Sequence, residues 1–219
     1  MGRTINQTDT YEKEITVTAP TEDTQSRFLK QIEFIREIDR LKKIVRRNWL
    51  CDGSRRENDA EHSWHIAAMA MVLAEHAAEP IDLLRVIKML LIHDVIEIDA
   101  GDTYAYDPAA NEDKEARELV AADRIFGMLP DDQAVEFRAL WDEFEEESTA
   151  EARFALALDR ILPLMMNIDS GGMAWIENGV TAKQVRDRMA PIVDGCPALA
   201  ELAECLIQRG VDEGRICAE

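Results

Sequence analysis

The sequence predicts an all-α protein, and three observations carry that prediction. Apolar residues recur at three- and four-residue intervals through most of the chain. The stretches so patterned stop at Pro or Gly, where helices stop. Period-two alternation, the mark of a strand, is confined to the weak segment "EITVT" near the N-terminus. No repeat, linker or low-complexity tract divides the 219 residues, a length that suits one domain with a sizeable core.

The elements follow in order. Residues 1–24 are polar and aperiodic and read as a poorly packed, flexible arm, leaving 25–219 as the folded domain. From Ser26 onward, Phe28, Ile32, Ile35, Ile38, Leu41 and Ile44 fall on one helical face. A second helix is expected over 60–78, dense in Ala, Met and Leu and stopped at Glu79-Pro80. A third is expected over 81–98, ending near Gly101. The loop "GDTYAYDPAAN" leads to a charged amphipathic helix over 112–128. Pro130-Asp131-Asp132 opens the next, which closes on the solvated acidic face of "WDEFEEES". Another helix spans 149–168, Ser170-Gly171-Gly172 breaks it, and two more are expected at 181–189 and 197–210.

Composition narrows the function. Hydrophobic residues are 47% and charged residues 32%, an ordinary globular balance. No apolar run approaches the ~20 residues needed to cross a bilayer, and the N-terminus lacks the apolar core of a signal peptide. The four cysteines have no CxxC spacing, so reduced thiols and a cytoplasmic location are expected. A net charge of −19 argues against a nucleic-acid polymer as partner, because such binding rests on neutralising phosphates. Charge is unevenly placed, however. Arg36 to Arg56 holds eight basic and three acidic residues, +5 in all, leaving −24 for the remainder. That stretch is either a solvated helix face or an anion site that admits one small phosphate.

The segment "MLLIHDVIEIDAGDT" (Met89–Thr103) runs from buried apolar residues into His93-Asp94, with Glu97, Asp99 and Asp102 behind. Buried ionisable groups are unfavourable unless they pair or bind a metal. His62, near a helix start where Asn58 or Asp59 can cap, supplies a second imidazole. Asp159, a lone carboxylate in the apolar stretch "ARFALALDRILPLMM", supplies a second acid. Its sequence neighbour Arg160 makes a poor partner, because adjacent helical residues point apart. His62, His93, Asp94 and Asp159 form a mixed N/O donor set suited to one divalent transition ion, with Mn, Co, Fe, Ni or Zn all admissible. Glu97 shares the helix face of His93 and Asp94 and is placed as general base. Asp102, past the Gly101 turn, is placed to orient substrate or protonate a leaving oxygen. His76 reads as an ordinary helix-end residue. His65 reads as ligand, support or packing, with nothing in the sequence to choose among them.

The pattern His62 … His93-Asp94 … Asp159 resembles the H…HD…D signature of the HD-domain superfamily of metal-dependent phosphohydrolases. "RRENDAEHSWHIA" and "MLLIHDVIEIDAGDT" are more specific and look like the branch of bacterial 5′-deoxynucleotidases of the YfbR type. The likeness runs from about Phe28 to about Asp187. It implies a single HD-domain helical bundle, metal ligation by those four residues, catalysis by Glu97, and Asp102 and Thr103 near the substrate. It implies an arginine and an aromatic ahead of the first histidine, which "VRRNWL" answers with Arg46 or Arg47 and with Trp49; Arg46 is favoured for the phosphate. The extra histidine in "EHSWHIA" and the string "GGMAWIENGVT" depart from that branch, and the second resembles a broader set of bacterial HD-domain hydrolases.

The expected activity is a phosphomonoesterase acting on (deoxy)nucleoside 5′-monophosphates, in a homodimer with no membrane partner. Its rivals are an HD-type phosphodiesterase, which calls for more histidines, a di-iron oxygenase, and a non-catalytic metal- or nucleotide-binding protein. Tyr104 and Tyr106 are expected to line a base pocket, and Trp175 to pack.

Overall fold

The computed structural model describes residues 22–107 and 109–218. Among them the chain is helical apart from one hairpin, as its periodicity predicts. The segment "EITVT" and most of the expected arm lie outside the described residues. The expected arm also reached slightly too far, because helix α1 (Glu22–Ile38) begins within it.

The first expected helix does not run on to Ile44. After Ile38 it tightens into a 3-10 turn, Asp39–Lys43, and the chain then extends as β1 (Val45–Trp49). β1 pairs antiparallel with β2 (Arg56–Asn58), in a register that sets Val45 against Asn58 and Trp49 against Arg56. The basic stretch read as a possible helix face is therefore mainly a hairpin. β-branched Val45 and aromatic Trp49 favour strand, and Asp52-Gly53-Ser54 turns the chain, with Gly53 at φ +69°.

Asn58 ends β2 and starts α2 (Asp59–Leu73) through a capping box. Its side chain accepts from the Glu61 amide at 3.0 Å, and the Glu61 carboxylate accepts from the Asn58 amide at 3.3 Å. Asn58, not Asp59, is thus the cap, and Asp59 is free to face inward. Helix α3 (Leu83–Ile92) is capped by Asp82, which accepts from the amides of Leu84 and Arg85. The continuous helix expected over 81–98 breaks at His93. A 3-10 turn, His93–Ile96, joins α3 to the short α4 (Glu97–Ala100). A 3-10 turn has three residues per turn, so side chains three apart eclipse, and Asp94 and Glu97 are brought to one side. Gly101 at φ +77° turns the chain out of α4.

The remaining helices are α5 (Lys114–Phe126), α6 (Asp131–Glu146), α7 (Ala150–Asp169), α8 (Met173–Asn178), α9 (Ala182–Met189), α10 (Ile192–Gly195) and α11 (Pro197–Asp212). Short α8 and α10 fall where the sequence reading placed only connections.

α7 is the axis of the molecule, packing against α2, α3, α6, α10 and α11. Phe154, Leu158 and Ile161 are fully buried along it, facing Ile66 and Ala70 of α2 and Val86, Met89 and Leu90 of α3. Each such aliphatic or aromatic side chain contributes roughly 1.5–3 kcal/mol on burial. That core leaves α2, the turn after α3 and the middle of α7 within reach of one another.

Candidate metal centre

Four elements deliver ionisable side chains to one buried point. α2 brings Asp59 and His62, the 3-10 turn brings His93 and Asp94, α4 brings Glu97, and α7 brings Asp159. All six are buried. The imidazole rings of His62 and His93 lie 5.8 Å apart. His62 Nε2 is 2.9 Å from Asp159 Oδ1, and His93 Nε2 is 3.0 Å from Asp94 Oδ1 and 3.7 Å from Asp159 Oδ1.

The donor atoms fit a cation. His93 Nδ1 is 3.0 Å from the Leu90 carbonyl and donates to it, which in the neutral ring leaves Nε2 as a bare lone pair. That Nε2 is buried and makes no hydrogen bond, although two carboxylates stand close by. One donor atom each from His62, His93 and Asp94 lies within 4.8 Å of the other two, and Asp59, Asp94 and Glu97 form a second such group. Glu57, fully buried, sets an oxygen 3.4 Å from His62 Nδ1. A carboxylate behind a ligating imidazole fixes its orientation and raises its basicity.

The electrostatics are those of a crowded acidic site. Burial and the Arg46 guanidinium oppose protonation of His62, but Asp159 and Glu57 outweigh them and raise its pKa to about 9. Asp159 is held well below the usual carboxylate range in spite of burial, because His62 hydrogen-bonds to it and both imidazoles stand close by. Burial and the charge of Asp94 push Asp59 and Glu97 up, and one oxygen from each lies within 4.8 Å of the other. Two facing acids in a low-dielectric pocket share a proton more readily than both ionise. Asp102 is also raised, chiefly by burial, with Arg46 acting against the shift.

Arg46 reaches from β1 into the cluster, its Nη1 2.7 Å from Asp94 Oδ2 and 3.2 Å from Asp59 Oδ1. Arg46 and Arg47, the next residue on the strand, both line a cleft beside the cluster. Asp102, Thr103, Tyr104, Tyr106 and Asp159 share that lining. Arg117 holds the loop in place, donating to the Ala100 and Ala110 carbonyls and to Thr103 Oγ1. The rings of Tyr104 and Tyr106 meet edge-on at 5.4 Å. Trp175 is only 2% exposed, as packing requires, yet it borders the same cleft.

Some sequence expectations land elsewhere. Trp49 is not in the cleft wall; its ring carries the Arg56 guanidinium at 4.8 Å. Arg55 and Arg56 pair with Glu61 and Glu177, outside the cluster. His65 sits beside Trp64, and His76 is exposed at the end of α2. Two residues of the cluster were missed. Asp59 was read as a possible cap, although it lies one helical turn before His62 and so shares its face. Nothing in the local sequence of Glu57 distinguishes it from an ordinary partner for a neighbouring arginine.

A helical protein whose buried centre joins two imidazoles to carboxylates beside a cleft defines a class of candidate metal-binding α-proteins, and comparison with known proteins narrows it. The family model for the HD domain matches residues 38–200. The chain belongs to the HD-domain family. A crystal structure from Magnetospirillum magnetotacticum, described as a predicted metal-dependent phosphohydrolase, shares 50% sequence identity with a TM-score of 0.85. It covers 88% of this chain and 97% of its own. A human protein named 5′-deoxynucleotidase HDDC2 is 33% identical over 130 residues, which are 59% of this chain and 62% of the human one. A Yersinia pestis 5′-deoxynucleotidase is 28% identical over 173 residues, 74% of this chain and 87% of that protein. The chain thus spans less than two thirds of the length of the human relative. No helix among the described residues is long and apolar enough to cross a membrane.

Proposed function

We propose that the protein is a metal-dependent phosphomonoesterase that hydrolyses deoxynucleoside 5′-monophosphates. The observation that carries the reading is the meeting of His62, His93, Asp94 and Asp159 with the Asp59–Glu97 carboxyl pair at the wall of a cleft bearing Arg47, Thr103 and two tyrosines. The names of the human and Yersinia relatives support the substrate class.

His62, His93, Asp94 and Asp159 would hold one divalent ion, of which Mn, Co, Fe, Ni and Zn all suit the donors. Such an ion supplies Lewis acidity and lowers the pKa of water towards 7. Arg46 and Arg47 balance charge on the phosphate as it passes through the transition state. Glu97 takes the proton of the attacking water, and Asp59, with an oxygen within 4.8 Å, stands beside it as a second carboxylate. The water oxygen forms the new P–O bond as the bond from phosphorus to the 5′-oxygen breaks. Asp102, whose pKa burial raises, returns a proton to that oxygen. Thr103 and the tyrosine pair face the nucleoside. Two histidines at the centre, with His65 and His76 off it, favour one metal over the pair that an HD phosphodiesterase commonly needs.

We place this activity in the cytoplasm and in a homodimer. Exposed Phe28, Leu29 and Trp64 offer apolar surface for the pairing. A one-chain mass by light scattering at micromolar concentration would contradict the dimer.

The test of function is phosphate release from a panel of ribo- and deoxyribonucleoside 5′-monophosphates. Metal-stripped protein receives Mn²⁺, Co²⁺, Mg²⁺ or Zn²⁺, with Asp94→Ala as control. The reading predicts release that needs both added metal and Asp94, and that favours the deoxy series. Release from no nucleotide with metal bound would overturn it.

A further inference from the structure

The cleft carries more positive charge than one phosphate requires. Among the described residues, Arg36, Arg47 and Arg188 are the arginines with no carboxylate within ion-pair distance, and two of those three line this cleft. In a chain of net charge −19, where arginines otherwise find acids readily, two unpaired guanidiniums in one cavity are a local departure.

The cations fall into two groups. Arg46 and Arg47, on β1, exert their field on Asp102. Arg160 and Arg188 exert theirs on Tyr106, so they occupy a different stretch of wall. Arg160 comes from α7 and Arg188 from the end of α9, and Arg160 Nη1 donates to the Arg188 carbonyl at 3.0 Å. That bond holds the two residues together although their charges repel, and Arg188 with burial lowers the Arg160 pKa. Glu147 pairs with Arg160, 3.1 Å from its Nη2, and among the described residues no carboxylate lies within ion-pair distance of Arg188. Arg160 is 12% exposed, and its Nε is buried without a hydrogen-bond partner. Burying an unsatisfied donor on a charged group is unfavourable, and an anion in the cleft would relieve it. Tyr106 adds a phenol that burial keeps protonated, its pKa raised to about 12, and so a further donor on the same wall.

We propose that the cleft takes a phosphomonoester bearing a second anionic group, a phosphate or a carboxylate, which Arg160 and Arg188 hold while the phosphate to be cleaved sits at the His62–His93–Asp94–Asp159 cluster. The proposal rests on the phosphohydrolase reading and names its substrate class more narrowly. The second anion undergoes no bond change: water and the ester give the alcohol, with its second charge intact, and inorganic phosphate.

The experiment uses three matched esters: deoxycytidine 5′-monophosphate, deoxycytidine 3′,5′-bisphosphate, and deoxycytidine 5′-monophosphate with a carboxylate at C5 of the base. kcat/KM is measured with metal-loaded wild type, Arg188→Gln and Arg188→Lys, and calorimetry gives the affinity of each ester for the same proteins without metal. At least one doubly charged ester should exceed the plain monophosphate about tenfold in kcat/KM, through KM. Arg188→Gln should remove most of that advantage, and Arg188→Lys should restore it, which also shows that the site still folds. The ester with the advantage tells phosphate from carboxylate. Should no ester be hydrolysed while an Arg188-dependent affinity gap persists, the second anion site stands and the hydrolase reading falls. No affinity gap, or one that Arg188→Gln leaves intact, overturns the proposal whatever the turnover.

Discussion

His62 shows how much one residue's surroundings decide. With burial and Arg46 against protonation and Asp159 and Glu57 for it, the carboxylates win, and the pKa rises from 6.5 to about 9. In metal-free protein that raised value contributes stability fully present below pH 6.5 and lost as pH climbs through about 9. Metal binding through His62, as proposed, displaces the same proton. Apparent metal affinity should therefore rise with pH up to about 9, by as much as tenfold per pH unit for one proton released. Competition titration against a chelator of known affinity measures this slope, and a flat profile between about pH 6 and 9 would exclude His62 as a ligand. The clustering of His62, His93, Asp94 and Asp159 was largely legible in the sequence. His93-Asp94 and Asp159 stand out because ionisable groups are rare in apolar helices. Arg188 was not legible, since nothing about an arginine near a helix end tells whether tertiary structure will supply it with an acid.

At the scale of elements, periodicity and breakers located the helices but not the places where helical geometry tightens. "IHDVIEIDAG" keeps a helical apolar pattern through His93, and the 3-10 turn there arises from tertiary packing, which local propensity does not encode. The hairpin was hidden for a similar reason. Its strands are five and three residues long, too short for alternation to register, and their charged residues mimic a solvated helix. Short α10 shows why such connections matter. A Cβ on Gly195 would press into the backbone carbonyl of Arg153 on α7, while the Gly195 carbonyl accepts from the Ala78 amide at 2.9 Å. Gly195→Ala should thus lift α10 off α7. Overpacking of this kind costs about 1–3 kcal/mol, and a chain of this size loses roughly 2–4 °C of Tm per kcal/mol. An unchanged Tm in calorimetry would show that α10 adjusts without strain.

For the whole molecule, the centre joins elements far apart in sequence: α2, the turn after α3, α4 and α7. An ion bound there links the hairpin side of the fold to its axis, and it binds the folded chain in preference to the unfolded one. At a free concentration 100-fold above Kd such a ligand adds about 2.7 kcal/mol. Tm should rise on adding Mn²⁺ or Co²⁺ to stripped protein and fall with chelator, and Asp159→Asn should suppress the shift. A rise of equal size in the Asp159→Asn protein would put the ion elsewhere.

The central claim is that one constellation holds the metal while a separate carboxylate moves the proton. Glu97→Gln tests it most directly, because the amide keeps the shape of the side chain and removes its basicity. Metal content per chain and phosphate release from a deoxynucleoside 5′-monophosphate are measured on the same sample. The account predicts metal content equal to wild type with kcat lowered roughly 10²- to 10⁴-fold, the range for loss of a general base. Full turnover with full metal would contradict it.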